Sequence, residues 1–211
     1  MTAIEAVAVA CGMACVGLLI WRSVWSWPIG LVQVSLYVWI FWQARLYSDV
    51  ILHVFYVALQ IYGWAAWVRG NRVNASGEMP IFVLSPARLA IAIGVVVAGT
   101  LGLGFVMGRF TDAALPIPDA FTTVASLVAQ VLLTRKVLQH WWFWIAVDVV
   151  AIPVYASRGL YLTSGLYVVF LVMAISGAVA WHRALRANRV AQRGAAVALA
   201  SSSRPTEATP T

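Results

Sequence analysis

Seven apolar stretches run along the chain, at about 3–21, 27–43, 47–68, 87–107, 117–135, 141–156 and 160–182, and short gaps between them hold most of the charge. Several approach the ~20 residues that an α-helix needs to cross the hydrocarbon of a bilayer. The second and sixth are short, and their ends are the least sharply drawn. No ten-residue alternating run appears, which excludes a closed transmembrane barrel. The pattern predicts an all-α integral membrane protein with seven transmembrane helices.

Sliding the chain against itself by 114 residues aligns 5–69 with 119–183 without a gap. Leu46-Tyr47 falls on Leu160-Tyr161, Trp27 on Trp141, Gly63 on Gly177, Trp67 on Trp181 and Arg69 on Arg183. Thirteen identities over 65 positions are few for apolar helices. The gap-free register and the shared Tyr-x15-Gly-x3-Trp carry the inference. Duplicated halves around a central site are a habit of transporter folds. The expected organisation is a three-helix repeat in 1–69, a loop and linker helix in 70–116, and a second, parallel three-helix repeat in 117–183. A tail in 184–211, rich in Ala, Ser, Thr and Arg, is expected to be disordered and cytoplasmic.

Composition agrees with a lipid environment: 63% of residues are hydrophobic and 10% charged, with a mean hydropathy of +0.88. Soluble domains carry about 25% charged residues. The net charge of +7 could suit nucleic acid, but the basic residues sit in the gaps between apolar runs, where they set membrane orientation. With seven spans, eleven basic residues fall on one side, and only Arg45, Arg109 and Arg158 on the other. The first side is therefore read as cytoplasmic, with the N-terminus outside and the C-terminus inside. The first span resembles a signal peptide in length. It lacks a basic lead and a small-residue cleavage site and aligns with 117–135, so it reads as retained. Cys11 and Cys15 have no metal-ligand partners nearby and read as packing residues.

Within this apolar chain the stretch HWWFWIAVDVV (140–150) stands out. Trp141, Trp144 and Asp148 share one helical stripe, continued by Tyr155. An acid at a span centre costs about 2.5–3.5 kcal/mol on insertion scales, so it faces a cavity, a partner or a solute. Two plainer readings stand beside a cavity wall: a structural acid between helices, and tryptophans of an interfacial belt. The third span offers a second stripe, His53, Tyr56, Gln60 and Trp67. Gln130 follows Thr123 and Ser126 on the fifth span, and Gln33 and Tyr37 form a smaller polar face on the second. There is no paired carboxylate, nucleophile triad, P-loop or metal-ligand cluster, so neither an enzyme nor a cofactor is predicted. Flat aromatic faces, amides and an acid suit a planar, polar and cationic small molecule.

The segments WPIG, LYSDVILHVFYVALQIYGWAAW, PDAFTTVASLVAQVLLTRKVLQHWWFWIAVDVVAIPVY and RGLYLTSGLYVVFLVMAISGAVAW resemble the PnuC family of bacterial nicotinamide riboside transporters, across about 20–183. The resemblance implies a three-plus-one-plus-three bundle related to SWEET sugar transporters, commonly a trimer, in the bacterial inner membrane. It also implies a vitamin bound mid-membrane and carried by facilitated diffusion, with trapping by a cytoplasmic kinase. Trp141, Trp144 and Asp148 match the family's solute-binding sixth span, and Gln130 matches its AQ-x-L glutamine. The chain departs at His53, where glutamine is expected, and at QHWW, where an acid often precedes the tryptophan. Related families carry thiamine or riboflavin.

Overall fold

The computed structural model describes residues 3–43, 45, 47–73, 79–111 and 114–202, with 47–49 and 192–202 as backbone; Leu46, Arg204 and the rest of 203–211 lie outside the described residues. Among the described residues there are seven helices: α1 (Ala3–Ile20), α2 (Ser26–Gln43), α3 (Tyr47–Val73), α4 (Pro86–Phe110), α5 (Pro116–Thr134), α6 (His140–Ser157) and α7 (Tyr161–Ser202). Five are long and apolar enough to cross a membrane: α1, α3, α4, α5 and α7. Helix ends match the hydropathy pattern to within a few residues, with two exceptions. α3 runs on to Val73, and α7 continues to Ser202 through the stretch expected to be disordered. That correction has a local cause. Residues 184–202 are largely Ala, Leu and Arg with one Gly and no Pro. These are strong helix formers, and a helix already nucleated extends without repeating its costly first turn.

The same turns are built twice. After α1, the Arg22 N–H donates to Leu19 O and the Ser23 N–H to Leu18 O. After α5, Lys136 donates to Leu133 O and Val137 to Leu132 O. Both are Schellman endings, with φ of 59° at Arg22 and 52° at Lys136 where glycine is usual. The turns after α2 and α6 match as well, with φ of 58° at Arg45 and 74° at Gly159. Among the described residues, these four left-handed positions form two pairs, each 114 residues apart. Ring contacts recur at the same offset. Trp27–Trp67 centroids lie 5.5 Å apart and Trp141–Trp181 5.9 Å, while Phe41–His53 lie 4.9 Å apart and Tyr155–Tyr167 5.1 Å.

α2 packs on α1 and α3, and α6 on α5 and α7; across the bundle, α1 meets α7 and α3 meets α5. α4 lies along α5 through a stripe of Val96, Thr100 and Gly104. It starts at Pro86, behind Ser85, whose Oγ accepts from the Arg88 N–H at 3.4 Å. The segment before α4 clamps the α5–α6 turn. The Phe82 N–H donates to Lys136 O, the Leu138 N–H to Phe82 O, and the Leu84 N–H to Gln139 Oε1 at 3.0 Å. The outer faces carry exposed Ile, Val, Leu and Phe, as lipid-facing surfaces do.

Candidate solute site

The chemistry divides into three levels along the bundle axis. At the end where α1 and α5 finish and α2 and α6 begin, four tryptophans close the structure: Trp27, Trp67, Trp141 and Trp181 are each at most 2% exposed. Gly63 and Gly177 make this possible, because a Cβ at either position would collide with the Trp27 or Trp141 ring. Trp67 Nε1 donates to Leu133 O at 3.2 Å, and Trp181 Nε1 donates to Leu19 O at 3.0 Å. Lys136, fully buried, holds its Nζ 4.8 Å from the centre of the Trp67 ring, a cation–π contact. The His140 ring lies 4.6 Å from Trp141 and 4.8 Å from Trp181, and its Nδ1 donates to Val137 O.

Trp141 therefore departs from the expected wall. Both its faces are covered, so in this conformation it belongs to the closed end and offers no open stacking surface. Periodicity grouped it with Asp148, and periodicity cannot tell a packed neighbour from a cavity. Trp67, on the other predicted stripe, is likewise sealed in.

One to two helical turns from this plug lies the polar level. Trp144 is half-buried and packs against both hydrophobic clusters, one around the tryptophans and one between α4, α5 and α6. Asp148 is 4% exposed, and nothing among the described residues hydrogen-bonds its carboxylate. Gln130 is buried with its Nε2 unpartnered among the described residues. Leaving such a donor without an acceptor costs about 1–3 kcal/mol, so a guest that accepts from it is favoured. Gln60 is buried over Gly30, and Gln33 lies over Gly12; a Cβ at either glycine would meet the amide. Tyr56 reaches Ser126 across the α3–α5 contact. Pro153, one turn beyond Asp148, removes the N–H that would have bonded Val149 O.

The far end is aromatic but less sealed. Tyr37, His53 and Tyr155 are half-buried there. The His53 ring lies 5.6 Å from Tyr37 and 5.7 Å from Tyr56. Tyr155 stacks on Tyr167, whose hydroxyl is within electrostatic reach of Asp148 and Tyr37. Arg158 bonds Asp119 at 2.8 Å and ties the α6–α7 turn to the start of α5. The structure thus groups Tyr37, His53, Tyr56 and Tyr155, keeps Trp144, Asp148, Gln130 and Gln60 nearer the middle, and removes Trp141 to the plug. Sequence reasoning missed Tyr167, although the 114-residue register names it as the counterpart of His53.

The family model for the nicotinamide mononucleotide transporter matches residues 2–183. The nicotinamide riboside transporter PnuC of Escherichia coli (strain K12) is 30% identical over 206 residues, covering 87% of this chain and 86% of that protein. The riboflavin/roseoflavin transporter RibM of Streptomyces davaonensis is 25% identical over 176 residues, with 82% of each covered. A crystal structure of the vitamin B3 transporter PnuC superposes with a TM-score of 0.71 at 26% identity, over 87% of this chain and 82% of that one. With its plugged bundle, its buried polar level and these relatives, the chain belongs to the nicotinamide mononucleotide transporter family of multi-pass membrane proteins.

Proposed function

We propose that this protein carries nicotinamide riboside across the bacterial inner membrane by facilitated diffusion, with phosphorylation in the cytoplasm trapping the product. The observation that carries the reading is Asp148: a buried carboxylate with no partner among the described residues, one turn from the half-buried ring of Trp144. A buried charge is costly unless paired, and a pyridinium ring meets both groups, stacking on the indole while its charge balances the acid. Gln130 donates to the ribose, and Tyr37, Tyr56, His53, Tyr155 and Gln60 line the approach. The PnuC relatives support the choice of solute, whereas RibM makes riboflavin the competing one.

The scaffold in this reading is two parallel three-helix repeats joined by α4, with all seven helices spanning. The duplicated turns and ring contacts support it, as does the packing of α2 between α1 and α3 and of α6 between α5 and α7. The basic residues orient the N-terminus outward and the C-terminus to the cytoplasm.

Calorimetry on Asp148→Asn tests the site. Nicotinamide riboside should bind about tenfold more weakly, the ratio one charge-assisted interaction supports, while neutral riboflavin should bind as before if it binds at all. Unchanged affinity for the cation, with or without a fall in melting temperature, would return Asp148 to a structural role. In liposomes, uptake should stop when concentrations are equal on both sides; accumulation under an imposed proton or sodium gradient would refute facilitated diffusion.

A further inference from the structure

We propose that the groove between residues 80–83 and the far part of α7 binds an anionic phospholipid, with its phosphate on Arg189 and Asn188 and an acyl chain along Phe82 and Val83. The groove holds about 330 Å³ and is lined by residues 80–83 on one side and by Leu185, Asn188 and Arg189 on the other. That volume falls within the roughly 300–1,000 Å³ of small-molecule clefts. Leu185, Asn188 and Arg189 are spaced i, i+3, i+4, so they share one face of α7. The face sets a carboxamide and a guanidinium beside a leucine. A guanidinium fork meets phosphate oxygens in pairs, which an amide donor can supplement.

Depth and charge both suit a lipid. Residues 185–189 follow Trp181 by four to eight positions, about 6–12 Å past the tryptophan plug at 1.5 Å per residue. Residues 80–83 lead into α4, which is long and apolar enough to cross a membrane. Phe82 and Val83 are 48% and 44% exposed at the head of that helix, apolar surface that an acyl chain covers. Three stretches meet here, 79–90, 135–140 and 182–193, through the Phe82–Lys136 and Leu84–Gln139 bonds and the groove itself. Together they hold seven Arg or Lys and no Asp or Glu, so the local field draws a headgroup of net negative charge and not a zwitterionic one. A lipid bound there joins α7 to the segment that clamps the α5–α6 turn.

The inference rests on the chain being a membrane protein, not on its solute or its orientation, so its failure is separate from that of the vitamin site. Full-length protein in a neutral detergent is titrated with dihexanoyl phosphatidylglycerol or dihexanoyl phosphatidylcholine, and the melting temperature is followed. Half-saturation should come at an about fivefold lower concentration of the anionic lipid, the ratio that one arginine near such a headgroup supports. Arg189→Gln should remove most of that preference. Asn188→Trp, which fills the groove and keeps the charge, should do the same. Arg183 lies on the opposite face of α7, roughly 200° around the helix from Leu185. Arg183→Gln removes an equal charge and should keep the parent's preference. An equal loss in Arg183→Gln and Arg189→Gln reduces the effect to a diffuse field and overturns the site. A parent that binds both lipids alike also overturns it, whatever the share of Glu78, which lies outside the described residues. Inorganic phosphate should leave the melting curve in place; equal protection by phosphate alone would make the occupant a free anion and overturn the lipid.

Discussion

Residues 5–69 and 119–183 share their turns but not their interiors. Where the chain turns or seals, the halves agree: Arg22 and Lys136 end their helices alike, and Trp27 with Gly63 repeats as Trp141 with Gly177. At mid-depth they part. Gly12, Val16, Gly30 and Val34 of the first half become Ser126, Gln130, Trp144 and Asp148 in the second. The first half closes its own interior, laying Gln33 over Gly12 and Gln60 over Gly30. The second half leaves Gln130 Nε2 and the Asp148 carboxylate unmatched within the described protein. Two halves can share their joints and still differ in which interior polar groups are left unmatched, because turn geometry and interior polarity depend on different positions.

The comparison breaks most severely at the shared seals. Gly177→Val drives a side chain into the Trp141 ring; overpacking of this kind costs about 1–3 kcal/mol, occasionally more. Melting temperature and yield should both fall, and Gly63→Val should match it through Trp27. Gly165→Val, at a position open to its surroundings, should leave both unchanged. If Gly177→Val melts like the parent, the seal is not a packed one.

A smaller effect separates the halves at the site. Trp144→Ala should weaken vitamin binding by about 1–3 kcal/mol, by analogy with base–aromatic stacking, as read by calorimetry. Its counterpart Gly30 has no such face to lose. Equal affinity in parent and variant would remove the α6 wall from the site.

The smallest effect is at the α2–α3 and α6–α7 turns. Gly159→Ala puts a side chain into a left-handed position, at a cost of about 1–2 kcal/mol. Arg45→Gly relieves the same strain in the other half, so its melting temperature should rise while that of Gly159→Ala falls. Shifts of the same sign would mean that the two turns are not equivalent.

The sequence made the helices legible because lipid demands long apolar runs, and those runs are bounded by charge. The 114-residue register rests on Trp, Gly and Tyr at fixed spacing, which are hard to match by accident, and the left-handed turns fall on the same offset. What periodicity could not supply was the third dimension. Trp141 and Asp148 lie on one stripe, but the first meets Trp181 and Gly177 whereas the second meets no hydrogen-bonding partner among the described residues. Lys136 reads as a loop charge that orients the chain, yet its left-handed backbone folds it inward onto Trp67. The length of α7 was hidden for another reason: an Ala- and Arg-rich stretch has the composition of a tail as readily as that of a helix.

The length of α7 has a mechanical consequence. At 1.5 Å per residue, its 42 residues make a rod of about 63 Å, roughly twice the ~30 Å of a bilayer's hydrocarbon core. Trp181 lies midway along it, so any tilt about that point is magnified towards both ends. A tilt of about 5° there displaces the tip of the rod by roughly 3 Å at this rise per residue. A marker near Ser202 would then move further than Trp181 itself, making that end of α7 a pointer for motions too small to follow at their source.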